Sequence, residues 1–432
     1  MTRPEMTKRI LFQNARLIDP ASRLDRPGGL LVEGEAIAGF GTLDGAAADQ
    51  MIDCGGKVLM PGLFDMRVQI REPGEEHKEN LVSAAHAAAA GGITSLATLP
   101  NTQPVIDDQS LVEFIAREAR KIGLVKIFPY AAATRGLQGK ELTEMGLLAG
   151  VGAVGFTDGV KAISSAQVMR LALSYARTFG QLIVQHPEEP SLVNEAGMNE
   201  CEWATRLGLP GIPAAAETIM VERDLRLLEL SGSRLHFAHV STADAIDAIR
   251  RAKARGLKVT CDTAPPYFTL NETAVGDYRT FAKLSPPLRS EADRLAVLDG
   301  IADGTIDAIA SDHSPHDQDS KRLPFAQAES GAVGLETLLA LTLAPVHQNK
   351  LALIDALAAL TCKPAAILGL KLGQLKEGWP ADLALVDLDR PWRIEASKFK
   401  SKSKNSPFDT LPVQGRALRT MVNGKTIFEL ES

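Results

Sequence analysis

Four polar residues close short apolar runs in this chain, and together they have the chemistry to hold a metal ion or move a proton. Asp158 lies in Gly155-Phe156-Thr157-Asp158-Gly159, and His186 lies in Val184-Gln185-His186-Pro187-Glu188-Glu189. His239 follows His236-Phe237-Ala238, and Asp312 opens Asp312-His313-Ser314-Pro315-His316. Imidazole nitrogen and carboxylate oxygen are donors that zinc accepts, and both groups serve as general bases. Each also has a plainer role, since a strand-end His is often only hydrogen-bonded and a lone Asp often caps a helix. Four such residues in order at run ends favour a joint site. His236 is odd-spaced from His239 and is expected to face the other side of its strand. His77, His86 and His347 fall on loops or helices and read as structural or surface residues.

A second stretch bears on the same chemistry. The apolar run Val58-Leu59-Met60-Pro61-Gly62-Leu63-Phe64 reads as a buried strand, and Arg67, Gln69 and Arg71 follow it at alternate positions. A guanidinium does not ligate zinc at neutral pH, and a carboxamide is a poor ligand for it. Arg71 and His316 suit an anionic ligand on charge grounds.

Strand ends carry chemistry only if a fold gathers them. The middle of the chain alternates short β-like runs, at Leu63–Val68, Ile93–Ala97, Val125–Pro129, Ala153–Phe156, Leu182–Gln185, Leu235–Val240, Lys258–Cys261 and Ile306–Ala310, with amphipathic helices such as Asn80–Ala90, Ala166–Thr178 and Ala243–Ala254. This alternation predicts an α/β fold, a (β/α)₈ TIM-type barrel over residues 61–369. A doubly wound sheet competes, but no Gly-x-Gly-x-x-Gly follows an early strand. Both ends of the chain read as strands and hairpins, so residues 1–60 and 370–432 are expected to build one small β-sandwich domain together.

Composition excludes more than it selects. A net charge of -6 and the lack of a long basic run argue against nucleic-acid and membrane-surface binding. No apolar segment reaches spanning length and no signal-peptide pattern opens the chain, so a cytoplasmic protein is expected. Cys54, Cys201, Cys261 and Cys362 are widely spaced and suggest neither disulfides nor a structural zinc site.

Several segments together are more specific. These are Pro61-Gly62-Leu63 with Arg71-Glu72-Pro73-Gly74, Leu99-Pro100-Asn101-Thr102-Gln103-Pro104, Gly208-Leu209-Pro210-Gly211-Ile212-Pro213, His239-Val240-Ser241-Thr242, Ser285-Pro286-Pro287-Leu288-Arg289 and Ser311-Asp312-His313-Ser314-Pro315-His316. On these the chain resembles the dihydroorotases of the amidohydrolase superfamily over nearly all of its length. Such enzymes hydrolyse or close the cyclic amide linking carbamoyl aspartate and dihydroorotate in pyrimidine synthesis.

The resemblance divides the expected site in two. One family metal is held by a His-x-His pair, a bridging residue and the eighth-strand Asp; Arg67 and Gln69 stand where the pair belongs, and only Asp158 and Asp312 remain. The residues that match the second metal's ligands, Asp158, His186 and His239, are all present, as are Arg71, Asn101 and His316, which match the substrate-carboxylate clamp. Asp312 matches the catalytic proton carrier. Other departures are Thr157-Asp158-Gly159-Val160 for Thr-Asp-Asp-Gly, Pro265-Pro266-Tyr267 for Pro-His-His, and Ser285 for an Asn. Arg67 is expected to supply the missing positive charge by pairing with Asp312 or Asp158.

The resemblance therefore implies a pseudoenzyme, an inactive or impaired dihydroorotase homologue that serves aspartate transcarbamoylase as a structural partner. The alternative is an active dihydroorotase or related cyclic amidohydrolase with one zinc ion at Asp158, His186 and His239. A third reading is a metal-free binding module for dihydroorotate or carbamoyl aspartate. The cofactor is thus one zinc ion or none, and a homo-oligomer is expected.

Overall fold

The computed structural model describes residues 8–43 and 46–431. Residues 1–7, 44–45 and 432 of the terminal segments assigned to the β domain lie outside the described residues. Strands at Leu63–Val68, Ile93–Thr98 and Lys126–Pro129 pair in parallel, as do those at Ile183–Gln185, Leu235–Phe237, Val259–Thr263 and Ala308–Ile309. The fourth position, expected over Ala153–Phe156, is reduced to parallel bridges from Phe156 to Ala131 and Ile183. A bridge from Val68 to His313 joins the last strand to the first and closes the barrel.

All six residues of Leu63–Val68 are buried, as expected for a barrel strand covered on both faces. Phe64 and Met66 pack in one cluster with Ala97, Val184 and Ala308, while Leu63 and Val68 join the cluster that includes the surrounding helices. Gly62 precedes this strand for a steric reason: a Cβ there would lie 2.0 Å from Thr94 Cγ2. The pairing register with the second strand shifts between Asp65 and Val68, an irregularity of the kind that re-aims side chains. Arg67 sits inside it.

Helices cover the barrel where sequence periodicity placed them. Asn80 caps Leu81–Ala90 in a reciprocal capping box with Ser83, Ser165 caps Ala166–Thr178, and Thr242 caps Ala243–Ala254. The terminal strands form the β-rich domain as one continuous eight-stranded sheet, in which Leu383–Arg393 pairs with both Val58–Pro61 and Pro412–Val422. Among the described residues no helix is long and apolar enough to cross a membrane.

Candidate active site

The strand ends bring together His186, His239, Asp312 and Arg67. His239 Nδ1 lies 3.0 Å from Asp312 Oδ2, His186 Nδ1 lies 2.7 Å from His239 Nε2, and His186 Nε2 lies 3.1 Å from Glu188 Oε2. Arg67 donates from Nε to Asp312 Oδ1 at 2.9 Å and from Nη2 to the Gly159 carbonyl at 3.2 Å. A chain of contacts thus runs from Glu188 through both imidazoles and Asp312 to Arg67.

Burial would raise the carboxyl of Asp312, but His239 and then Arg67 hold it well below the ordinary carboxylate range. Burial, followed by the Arg67 charge, pushes His239 down to about 4. Glu188 is also buried, yet His186 and Arg289 hold it at about 2. Arg71, His239 and Asp312 adopt positive φ values of 69°, 39° and 51°, so the backbone at these three positions is held in a costly conformation by its surroundings.

The donor atoms do not fit a metal as arranged. Two nitrogens bound to one tetrahedral zinc at 2.0–2.1 Å would lie about 3.4 Å apart, whereas His186 Nδ1 and His239 Nε2 are 2.7 Å apart. Asp158 is engaged away from the histidines, where it accepts from the backbone N–H and Oγ1 of Thr134 at 2.9 and 2.5 Å. Burial raises its pKa. Among the described residues no group of three His, Cys, Asp or Glu is placed to hold a metal ion. The expected Asp158–His186–His239 set is therefore assembled only in its two histidines, because Thr134 claims the carboxylate.

The expected anion clamp is gathered but occupied by itself. Asn101 donates to Gln69 Oε1 at 2.9 Å, Gln69 to Ser314 Oγ at 3.0 Å, and Arg71 Nη2 to Ser314 Oγ at 3.2 Å. His316 Nε2 is 3.2 Å from Arg71 Nη2 and 3.0 Å from the Ser330 carbonyl. Burial, then Arg71, depresses the His316 pKa to about 3. Burial and the neighbouring guanidinium thus disfavour the charged form of His316 in this arrangement. Its Nδ1 is buried without a partner.

Other residues important here were not singled out in the sequence. Glu217 is fully buried and accepts from both the backbone N–H and hydroxyl of Ser241 and of Thr242, fixing the turn after His239. Asp262 accepts from the His239 N–H at 2.7 Å and contacts His236 Nε2 at 2.9 Å, so His236 is a structural histidine. Glu188 stood two residues after His186 in the sequence, and that proximity was the available signal. His77 is exposed and lies 3.4 Å from Asp317.

Residues 56–245 match the family model described as "Dihydro-orotase-like". The chain is 45% identical to a protein named dihydroorotase from Wolbachia sp. subsp. Drosophila simulans, covering 98% of this chain and 96% of that one. It is also 45% identical to a dihydroorotase from Geobacter sp. (strain M21), covering 97% and 99% respectively. Among solved structures, L-hydantoinase from Arthrobacter aurescens superposes with a TM-score of 0.88 at 27% identity, covering 98% of this chain and 96% of that one. Dihydropyrimidinase from Brevibacillus agri shares the fold with a TM-score of 0.84 at 20% identity, covering 98% and 95%.

Proposed function

The chain belongs to the dihydroorotase family, and from that premise we propose that it is a member whose hydrolytic turnover is lost or strongly impaired, acting as a structural partner of aspartate transcarbamoylase in pyrimidine biosynthesis. One observation carries the first half of this reading. Arg67, 2% exposed, holds Asp312 at 2.9 Å, so the carboxylate the family uses to carry a proton is neutralised by a guanidinium. Amide hydrolysis at neutral pH needs an activated water and a polarised carbonyl. A permanently charged guanidinium contributes positive charge but cannot take up a proton from water. The partner role is supported by the resemblance alone, through a retained barrel with an altered reaction centre.

The full-length identity to proteins named dihydroorotase favours a second reading, an active zinc-dependent cyclic amidohydrolase that interconverts carbamoyl aspartate and dihydroorotate. In that state Arg67 would have to leave Asp312, and the two imidazoles would have to separate. An assay of both directions with added zinc decides between the two. The first reading expects turnover at least a thousandfold below the typical range of about 1–10³ s⁻¹. Chelator-sensitive turnover within that range overturns it. Gel filtration of the chain mixed with aspartate transcarbamoylase tests the partner role separately: a complex is expected, and independent elution removes that half of the proposal.

A further inference from the structure

We propose that the cavity between the β-rich domain and the barrel helix Leu338–His347 binds a nucleoside monophosphate, with the phosphate on Arg416 and the base against Trp392 and Glu336. The cavity has a volume of about 430 Å³, within the usual range for small-molecule sites. None of Arg67, Arg71, His186, His239 and Asp312 lines it.

Arg416 sets the requirement for an anion. Pairing of Leu383–Arg393 with Pro412–Val422 lays its guanidinium over the Trp392 ring, with Cζ 4.7 Å from the ring centre. Trp392 is itself anchored, donating from Nε1 to the Gly415 carbonyl at 3.0 Å. Arg416 is half-buried, yet among the described residues it forms no ion pair and donates to no acceptor. A guanidinium held in place with its N–H groups open is a bidentate receptor for phosphate. Arg393 and Lys400 also line the cavity, are exposed, and pair with no acid among the described residues. The lining acids Glu395 and Glu429 are already committed to Lys398 and Arg419.

Glu336 and the aromatic rings set the requirement for a base. Glu336 Oε1 accepts from the backbone N–H groups of Lys400 and Ser401 at 2.7 and 3.2 Å, and Oε2 has no partner among the described residues. Burial pushes this carboxyl up to about 7, so near neutral pH it serves a ring edge as donor or acceptor. Trp392 and Phe428 are partly exposed in the lining and offer the flat surface on which bases stack. A sugar phosphate satisfies only the cations and a nucleoside only the ring-binding groups; a nucleotide engages both. Binding here does not depend on whether the strand-end site turns over.

Isothermal titration of the full chain with adenosine and uridine 5′-monophosphates, each compared with its nucleoside and with ribose 5-phosphate, tests the selection. At least one nucleotide is expected to bind with Kd below about 1 mM, and its nucleoside and ribose 5-phosphate about tenfold more weakly or worse. No saturable binding of either nucleotide, or a nucleoside or ribose 5-phosphate as tight as the nucleotide, overturns the proposal. Arg416→Gln is expected to raise Kd about tenfold or more. Because Arg416 also packs on Trp392, the exposed Lys400→Ala supplies a variant that spares this packing; it is expected to raise Kd about threefold and to reduce the salt dependence of binding. Binding that survives Arg416→Gln but disappears in Arg71→Ala puts the ligand at the strand ends and refutes the cavity.

Discussion

Replacing Arg67 by Met should destabilise the chain by about 3–5 kcal/mol, because it leaves a largely buried carboxylate without its guanidinium partner. The structural basis is direct: Arg67 is 2% exposed, the Asp312 side chain is 17% exposed, and their contact is 2.9 Å. Asp312→Asn keeps an amide oxygen that can accept from Nε but leaves the 2% exposed Arg67 guanidinium without a counter-charge, so it should cost a similar amount, about 3–5 kcal/mol. The double variant removes both charges and should be much less destabilised than the sum, as buried ion pairs are often near neutral against uncharged replacements. The coupling read from urea denaturation, followed by circular dichroism and fluorescence together, should therefore reach about 2–3 kcal/mol. pH adds an independent arm. The folded-state pKa of Asp312 is depressed from 3.8, so the unfolded chain takes up this proton first. The stabilisation is present above the unfolded value and fades as pH falls through the folded one. Arg67→Met should shrink that acid-dependent loss. Additivity of the two single variants within about 0.5 kcal/mol would refute the ion-pair account.

Three further outcomes follow from the same geometry. Glu217→Ala leaves two backbone N–H groups and two hydroxyls without their acceptor, and should cost at least about 3 kcal/mol in chemical denaturation. Glu188 is held at about 2, below its ordinary 4.5, so it stabilises the fold above pH 4.5 and that contribution is lost as pH falls toward 2. Glu188→Gln should flatten the dependence of Tm on pH in this window, and an unchanged slope would contradict the Glu188–His186 pairing. Arg67→His combined with Gln69→His should increase bound zinc measured by elemental analysis, because it restores two neutral nitrogen donors; unchanged zinc would show that the cradle is damaged elsewhere too.

Much of the scaffold was legible because it rests on local pattern. The helices Ala166–Thr178 and Ala243–Ala254 begin and end where periodicity and capping residues put them. The barrel followed from the alternation of apolar runs with such helices, although the fourth run shrank to bridges at Phe156. The Arg67–Asp312 pair was also foreseeable, since a cation among carboxylates needs a partner, yet 245 residues separate the two. What escaped the sequence were the choices side chains make between competing partners. Asp158 prefers two donors from Thr134 over a place beside the histidines. Burial and Arg71 disfavour the charged form of His316. Nothing in the sequence marks Glu188 and Glu217 as buried; only the folded barrel sets them against His186 and against Ser241 and Thr242.

On the reading proposed above, Arg67 and its ion pair with Asp312 take the place of a metal. Zinc stoichiometry of the wild-type chain, purified with zinc present and dialysed against metal-free buffer, tests that substitution most directly. Well under one tenth of an ion per chain is expected. One tightly held zinc ion per chain would contradict it.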